Sequence, residues 1–239
     1  MLRMEGVINM IGIIGAMDEE VISLKRKMIV KQQRDIASMT FFVGTVNEKE
    51  VVVVRCGIGK VNAAICTQIL IDLFEVKYII NTGVAGGLYP ELEIGDIVVS
   101  SDTVEHDMDA SAVGNPRGEI PRMQKTYFEA DEKLIDAAKK AAETLKDAGK
   151  VYVGRVASGD QFVCSMQVRE DIYATFTAYC AEMEGAAIAH TCYLNQVPFV
   201  IIRAISDKAD QSADVNFEEF VDVAAKNASK MIEGILKTI

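Results

Sequence analysis

Short apolar runs alternate along this chain with segments whose apolar residues recur at helical spacing. Apolar runs of strand length lie at residues 7–15, 76–81, 97–99, 151–157 and 197–204. Helical spacing follows Asp18 and residues 57–60, and recurs at 131–146, at 184–194 and from Asn216 onward. This alternation predicts an α/β fold. Two further runs, 41–46 and 51–55, predict a hairpin that adds antiparallel pairing to the sheet.

The helical patterns also predict which faces are buried. The helix after residues 57–60 has an apolar face made of Val61, Ala64, Ile65, Ile69 and Leu73. For the last helix, Asn216 is the predicted N-cap with Glu219 at the third position. Its buried side is marked by Phe217, Phe220, Val221, Ala224, Met231 and Leu236. The polar region from residue 100 to 122 is predicted to be irregular.

The composition limits the class of protein. The chain has 239 residues, half of them apolar, without a linker, repeat or low-complexity tract, which predicts a single domain. Its formal net charge of −10 argues against nucleic acid or an anionic membrane as a partner. No apolar run reaches the about 20 residues of a membrane helix, and the first residues lack the features of a signal peptide. We therefore expect a cytoplasmic protein.

Cysteine and histidine usage argues against a metal centre. The five cysteines include no Cys-x-x-Cys pair, so reduced and mostly buried thiols are expected. His106 and His190 are far apart in sequence and lack ligand spacing. Neither a metal nor another cofactor is predicted.

Carboxylates beside small or apolar residues are the strongest functional signal. Glu182 and Glu184 lie in Ala-Glu-Met-Glu-Gly-Ala-Ala, and Asp207 follows an apolar strand. Charged groups are rarely buried without a partner or a task, and open α/β sheets bind ligands at the carboxyl ends of their strands. Together with Glu20, these residues fit an acid–base hydrolytic site.

Each of these residues also has a simpler interpretation. Glu20 lies in a first helical turn, where an acidic side chain offsets the helix dipole. Glu182 or Glu184 can cap a helix, and Asp207 suits a turn. An aromatic residue such as Phe162 is more often part of a core than a stacking platform.

Glycine marks three predicted strand ends, at residues 12–15, 57–59 and 83–87. Glycine lets the backbone approach a ligand, although a tight turn would explain each cluster alone. The chain contains neither G-x-G-x-x-G nor a Walker A pattern, which argues against a dinucleotide or triphosphate site. The coincidence of these glycines with carboxylates at one sheet edge favours a ligand site there.

Six motifs occur in the order and spacing of a known family. They are IGIIGAMDEE (11–20), GIGKV (57–61), NTGVAGG (81–87), SGD (158–160), EME (182–184) and RAISD (203–207). From about Met10 to its C-terminus the chain resembles the 5′-methylthioadenosine/S-adenosylhomocysteine nucleosidases. The resemblance implies a three-layer α/β/α fold around a mixed, partly barrel-like sheet, as in nucleoside phosphorylases, and a homodimer. Residues 1–9 fall outside the match and are interpreted as an N-terminal extension of a single domain at 10–239.

The resemblance also implies an activity, a place in methionine salvage and catalytic residues. The family hydrolyses the bond between ribose C1′ and adenine N9 of these two nucleosides, releasing adenine and the 5′-thioribose, without a cofactor. Asp207 matches the acid that protonates adenine N7, and Ser206 helps to orient it. Glu20 matches the residue that activates the attacking water. In such reactions the ribose acquires oxocarbenium character.

Further residues match the family's substrate contacts. Glu184 matches the ligand of the ribose hydroxyls, and Met183 packs against the sugar. Phe162 stacks on adenine, and the main chain of Val163 reads its edge. Ile58 lines the pocket for the 5′-thio group. The remaining expected contacts are Val84, Ala85, Gly86, Glu182 and Phe217.

Nucleoside phosphorylases of the same fold are the main alternative. Their bacterial purine members carry phosphate-binding Arg and Ser where this chain has Asn81 and Val84. The carboxylate of Glu20 would also repel phosphate, so hydrolysis is favoured. A non-catalytic nucleoside-binding protein is a third interpretation, against which the presence of Glu20, Glu184 and Asp207 argues.

The chain departs from the family pattern at three positions. Nucleosidases often have Ser at the position of Val84. Many relatives carry aromatic residues at the positions of Val113 and Asn115, in the segment 104–115 that crosses the dimer interface and covers the neighbour's 5′ subsite. Smaller residues leave the 5′ preference open, and aminodeoxyfutalosine is an alternative substrate.

Overall fold

The computed structural model describes residues 9–145 and 149–239. Residues 1–8 of the predicted extension and Lys146 of a predicted helix lie outside this part of the chain. The helices are α1 (Asp18–Lys27), α2 (Lys60–Phe74), α3 (Glu132–Thr144), α4 (Met166–Phe176), α5 (Gly185–Asn195) and α6 (Ala213–Thr238). The strands are β1 (Ile11–Gly15), β2 (Ile29–Ile36), β3 (Met39–Val46), β4 (Lys49–Arg55), β5 (Tyr78–Gly87), β6 (Ile97–Glu105), β7 (Phe128–Glu129), β8 (Val151–Ser158), β9 (Cys180–Glu182) and β10 (Phe199–Asp207).

Within the described ranges, the strands form one mixed sheet that closes partly on itself. The order is β10-β6-β8-β9-β5-β1-β4-β3-β2, and β10 also pairs with β5, so five strands make a barrel. Strands β1, β5 and β10 run parallel to one another, which brings their carboxyl ends to the same edge. Helices pack around this sheet, and the predicted α/β class with a mixed, partly barrel-like sheet is confirmed.

The antiparallel part of the sheet is larger than the sequence predicted. The expected hairpin is present as β3 and β4, but β2 adds a further antiparallel edge strand. Its residues are mostly exposed and polar, so it lacks the apolar pattern of a buried strand. The sequence also missed α4, and the region predicted to be irregular begins with the second half of β6.

The predicted cap of the last helix is wrong. Helix α6 begins at Ala213 with Ser212 at its N-cap, so Asn216 already lies inside the helix. There its amide donates to the Ser212 hydroxyl at 2.8 Å. The apolar spacing does not begin until Phe217, which explains why the start was placed too late.

The predicted buried face of α2 is also wrong for the single chain. The buried residues are Ala63, Cys66, Thr67 and Leu70, whereas Val61 is 70 % exposed and Leu73 49 %. Helix α2 is apolar around most of its circumference, so spacing alone does not identify the packed face. Leu70 and smaller residues face the body of the protein, whereas Val61, Ile65 and Leu73 face outward.

No helix in the ranges 9–145 and 149–239 combines the length and apolar character needed to cross a bilayer. The five cysteines are free, and all except Cys164 are buried.

A buried arginine depends on a glycine in the neighbouring strand. Arg203 of β10 lies in register with Gly83 of β5 and is only 1 % exposed. A Cβ atom on Gly83 would collide with the Arg203 guanidinium and with the carboxylate of Glu20. The absence of a side chain at Gly83 therefore makes room for this charged pair.

We predict that Gly83→Ala lowers the free energy of unfolding by about 1–3 kcal/mol, because overpacking against groups that cannot move costs about this much. Gly12→Ala is the matched control, since Gly12 also lies in a buried strand but its Cβ would meet the flexible end of Leu70 at 3.1 Å. Urea unfolding of both variants provides the comparison. Equal losses would show that the contact with Arg203 is not limiting.

Candidate active site

A cavity opens at the edge where the carboxyl ends of β1, β5 and β10 meet. It encloses about 500 Å³ of non-protein space including its open mouth, which suits a ligand of nucleoside size. Its lining residues are Ala16, Met17, Glu20, Ile58, Val84, Ala85, Gly86, Phe162, Ala181, Glu182, Met183, Glu184, Arg203, Ser206, Asp207 and Phe217.

The cavity brings together residues that are far apart in sequence. Every predicted site residue except Val163 lines it. Val163 is buried in a neighbouring apolar cluster with Ala181 and Ala209, and its expected main-chain contact remains a prediction. The sequence reasoning missed the contributions of Met17 and Arg203 to the lining. Arg203 was detectable in principle, because it is a charged residue within an otherwise apolar strand.

Glu20 is held by the first turn of α1 and by β5. Its Oε2 accepts hydrogen bonds from the backbone N–H groups of Ala16 at 2.6 Å and Met17 at 3.0 Å, and its Oε1 from Val84 at 3.0 Å. Burial raises the pKa of Glu20, and the Arg203 charge and these three donors act in the opposite direction. The carboxyl group is therefore fixed in place and poorly hydrated.

Arg203 occupies the centre of the acidic cluster. Its guanidinium forms ion pairs with Glu182, with Glu184 at 3.5 Å and with Glu20 at 3.9 Å. It also donates to Asn81 Oδ1 at 2.5 Å and to the carbonyl oxygen of Val84 at 3.2 Å. One buried cation thus compensates three buried carboxylates, which could not all remain ionised there unpaired.

Glu182 and Glu184 have different surroundings although they are two residues apart. The oxygens of Glu182 accept from the backbone N–H of Gly185, at 2.8 and 3.0 Å, and from the hydroxyl of Ser158. Glu182 therefore caps α5 while it pairs with Arg203. Glu184 has fewer partners, since its Oε1 accepts only from Gly59 N–H at 2.9 Å.

The surroundings of Glu184 make its charge costly. Burial, together with the adjacent negative charge of Glu182, raises the pKa of Glu184 to about 7, against the influence of Arg203. Glu184 is thus the carboxyl group of the cluster with the most capacity left for a ligand.

Asp207 lines the same cavity at the end of β10. The pairing of β10 with β5 shifts register between Ile205 and Asp207, which redirects the side chains at this point. Asp207 accepts from the Ser206 hydroxyl at 2.8 Å and from Ala209 N–H at 2.8 Å. Burial raises the pKa of Asp207, and these two donors act against the shift. Burial therefore favours the protonated form of Asp207.

Apolar side chains form the remaining walls of the cavity. Phe162 and Phe217 meet edge to face, with ring centroids 5.7 Å apart. Ile58 is 54 % exposed and Phe162 43 %, so both present apolar surface at the mouth. These walls suit a flat, weakly polar ligand rather than a highly charged one.

The polar groups that face the cavity do not resemble a metal or phosphate site. Among residues 9–145 and 149–239, no three His, Cys, Asp or Glu side chains are arranged to hold a metal ion. The acidic cluster of Glu20, Glu182 and Glu184 already surrounds the Arg203 guanidinium. Asn81 donates to the carbonyl oxygen of Ile14 at 2.9 Å and accepts from Arg203, so both its amide nitrogen and its amide oxygen already have partners.

Comparison with known proteins agrees with this geometry. Residues 10–237 match the sequence profile of the Phosphorylase superfamily. A 5′-methylthioadenosine/S-adenosylhomocysteine nucleosidase of Staphylococcus haemolyticus is 45 % identical over 233 residues, which cover 96 % of this chain and 100 % of the relative.

Solved structures are also similar to this chain over nearly its whole length. The nucleosidase of that name from Neisseria meningitidis, in complex with methylthio-immucillin-A, superposes with a TM-score of 0.93 at 40 % identity, over 97 % of this chain and 100 % of that one. A futalosine hydrolase of Helicobacter pylori has a TM-score of 0.92 at 34 % identity, over 97 % and 99 % of the two chains. Since the profile matches residues 10–237 and the Staphylococcus haemolyticus nucleosidase is 45 % identical over 96 % of the chain, the chain belongs to the 5′-methylthioadenosine/S-adenosylhomocysteine nucleosidases of the phosphorylase superfamily.

Proposed function

We propose that this protein hydrolyses the N-glycosidic bond of 5′-methylthioadenosine and S-adenosylhomocysteine, releasing adenine and the 5′-thioribose. One observation carries the proposal: two buried carboxyl groups with different partners line a single cavity. Burial raises the pKa of Asp207, and Glu20 lies 3.9 Å from the Arg203 guanidinium. Glycosidic hydrolysis needs two carboxyl groups in different protonation states, one to protonate the leaving group and one to activate water. The family name of the relatives supports the choice of substrate.

Asp207 is the proposed general acid. Adenine leaves poorly as an anion, so its N7 must gain a proton as the bond to C1′ breaks. A carboxyl group whose pKa is raised by burial keeps a larger protonated fraction near neutral pH. The Ser206 hydroxyl, 2.8 Å from Oδ2, orients the carboxyl group towards the base.

Glu20 is the proposed base that activates the attacking water. Three backbone N–H groups fix its position, and burial makes it a stronger base than an exposed carboxylate. Arg203, at 3.9 Å, keeps Glu20 in an environment where a negative charge is tolerated. The carboxylates around this end also favour the positive charge that develops on the ribose.

Glu184 is the proposed ligand of the ribose hydroxyls, because its second oxygen is bound only weakly by Arg203. Met183 and Ile58 provide apolar contact to the sugar and the 5′ group, and Phe162 and Phe217 form an aromatic wall for adenine. Val84, Ala85 and Gly86 complete the wall beside the sugar and the base.

Water is the proposed nucleophile rather than phosphate. Phosphorolysis would need cationic and hydroxyl ligands for the anion, but Val84 lacks a hydroxyl and Asn81 is engaged by Arg203. The carboxylate of Glu20 stands where the nucleophile would approach, and it repels a phosphate dianion. No metal or cofactor is needed for the steps proposed.

We also propose that the active protein is a homodimer. The apolar side chains of Ile58, Val61, Ile65 and Leu73 on or beside α2, and Val113 of the segment 104–115, are all more than 40 % exposed in the single chain. Such a concentration of exposed aliphatic groups is typical of a protein interface. A partner seated on α2 would place the segment 104–115 near the neighbouring cavity.

A cytoplasmic location and a role in methionine salvage complete the proposal. Five free thiols suit a reducing compartment. Aminodeoxyfutalosine, another 5′-modified adenosine, is the alternative substrate, which is supported by the futalosine hydrolase among the similar structures and by the small residues Val113 and Asn115. Neither residue lines the cavity of its own chain.

The first prediction tests the acid. Asp207→Asn keeps the shape of the side chain but cannot donate a proton, so kcat for methylthioadenosine should fall by about 10²–10⁴-fold. Because the protonated form is the active one, wild-type activity should decline as pH rises through the raised pKa of Asp207, and the variant should lack this decline. Asp222→Asn, an exposed residue of α6 outside the cavity lining and not among the groups that shift the pKa of Asp207, is the control and should keep both the rate and the pH profile. Near-normal turnover by Asp207→Asn would remove this residue from the mechanism.

The second prediction concerns the nucleophile. Incubation with methylthioadenosine should release adenine and free methylthioribose at the same rate with and without phosphate, and in the presence of a chelator. Chromatography of the products distinguishes the free sugar from its 1-phosphate. The sugar 1-phosphate as the main product, or inactivation by the chelator, would contradict hydrolysis by water alone.

The third prediction concerns the 5′ preference. Val113→Phe should restore an apolar cover over the neighbour's 5′ subsite. The apolar area buried by the added ring should improve the binding free energy of methylthioadenosine by about 1–2 kcal/mol and so lower its KM. The polar tail of S-adenosylhomocysteine reaches past this cover, so its KM should change little. Val223→Phe, another exposed valine outside the cavity, should leave both values unchanged. Equal effects on the two substrates would show that residue 113 does not set the preference.

A further inference from the structure

Charged side chains converge at a point behind the cavity where three segments of the chain meet. Lys60 Nζ, at the start of α2, lies 2.6 Å from Asp107 Oδ1 and 3.4 Å from Glu105 Oε2 at the end of β6. Asp107 Oδ2 in turn accepts from the backbone N–H of Asp160 at 2.9 Å, and Asp160 Oδ1 accepts from the backbone N–H of Lys60 at 2.9 Å. These contacts close a ring that joins Lys60, Asp107 and Asp160, which we name the Lys60 ring.

Two of the segments joined by the Lys60 ring carry walls of the cavity. Lys60 comes two residues after Ile58, and Asp160 comes two residues before Phe162. Between Ile58 and Lys60, the N–H of Gly59 donates to Glu184 Oε1 at 2.9 Å. The Lys60 ring is therefore within two residues in sequence of Ile58, of Phe162 and of the Gly59 N–H that binds Glu184, the proposed ligand of the ribose.

Each segment is held separately by backbone hydrogen bonds, from Gly57 to Ala16 at 3.2 Å and from Gly159 to Glu182 at 3.1 Å, and the Lys60 ring joins the two segments to each other. Ile58 is flanked by Gly57 at φ 88° and Gly59 at φ 97°, which are conformations that glycine reaches more readily than other residues. Ile58 and Phe162 are 54 % and 43 % exposed, so the packing of their side chains fixes them only in part. A Cβ on Gly59 would lie 3.1 Å from Asp160 Oδ1, so the segments touch closely.

Lys60 is the one cation of the Lys60 ring, and it faces the carboxylates of Asp107, Asp160 and the adjacent Glu105. Burial acts to lower the pKa of Lys60, but the hydrogen bond and the negative charge of Asp107, with Glu105 and Asp160, raise it above its ordinary value. Glu105 has a second partner, His190 Nδ1 at 2.9 Å. Without the Lys60 ammonium, the carboxylates that face one another here would repel and the two segments would lose their common anchor.

We propose that Lys60 and Asp107 are positioning residues that set the affinity of the cavity for the nucleoside by fixing the segments of Ile58 and Phe162 and the orientation of Glu184. The proposal rests on the proposed function for the identity of the nucleoside. Neither residue lines the cavity, so they act through their neighbours and do not touch the ligand. Their removal affects binding more than the bond-breaking step, because Asp207 and Glu20 are held by separate contacts.

The test compares Lys60→Met and Asp107→Asn with wild type. For both variants we expect KM for methylthioadenosine and the Kd for adenine, measured by calorimetry, to rise on the order of tenfold, because small displacements of binding groups have effects of this size or larger. The value of kcat should change by less than about threefold, which is within the ordinary spread of coupling between neighbouring sites. Lys60→Arg should restore most of the affinity. In the double variant, KM and the adenine Kd should rise by less than the product of the two single effects, because Lys60 and Asp107 act through the same contact.

Lys27→Met is the matched control. Lys27 forms an ion pair of the same length, 2.6 Å with Glu233, but far from the cavity lining. It should leave KM and the adenine Kd unchanged even if it lowers Tm. An unchanged KM and Kd in Lys60→Met, a fall in kcat as large as the fall in kcat/KM, or an equal effect of Lys27→Met would overturn the proposal.

The readouts separate this proposal from the proposed function. If the wild type binds adenine but does not hydrolyse methylthioadenosine, the proposed function fails, and the adenine Kd still decides the role of Lys60. If Lys60→Met does not fold, Asp107→Asn provides the same comparison, since the Asp107 side chain is 30 % exposed and its loss leaves the lysine in place. If the wild type does not bind adenine, both proposals fail.

Discussion

The site depends on the guanidinium of Arg203 among three buried carboxylates. Glu20, Glu182 and Glu184 come from α1, from β9 and from the junction with α5, and none of them is more than 7 % exposed. Without a cation, burial of these groups would be prohibitive, and removal of one partner of such a cluster is usually costly. The arginine requires a glycine at position 83 and the amide of Asn81 to be accommodated. The register of β5 with β10, which places Gly83 beside Arg203, therefore also leaves room for the ion pairs of Arg203.

Glu20 and Asp207 line the same cavity but have different surroundings. Glu20 has a cation and three N–H donors that favour its charged form, whereas Asp207 has one hydroxyl and one N–H donor and no cation among the causes of its pKa shift. Burial raises the pKa of both groups, but only Glu20 has a compensating charge. These different surroundings support the proposed roles of Asp207 as the acid and of Glu20 as the base in glycosidic hydrolysis.

The alternation of strands and helices predicted the class of fold, and the resemblance to the family supplied nearly all of the residues that line the cavity. The sequence did not predict the role of Arg203, since a single charge in the apolar strand β10 says nothing about which carboxylates lie opposite. It missed β2 because an exposed edge strand has no apolar pattern, and it placed the start of α6 late because the first turn of that helix is polar. The edge strand β2 is defined by its pairing with β3 and the start of α6 by the cap at Ser212, and the periodicity of apolar residues records neither.

The exposed apolar face of α2 connects the cavity to the proposed dimer. The spacing of Val61, Ile65 and Leu73 predicts burial, and in the single chain only the opposite face of the helix is buried. Both observations are satisfied if a second copy covers these side chains. Ile58, at the beginning of the same apolar strip, also lines the cavity. A partner that covers α2 would therefore also reach the mouth of the cavity, so that dimer formation and closure over the 5′ group would use one continuous surface. The residues at position 113 and along α2 would then influence substrate preference and association together.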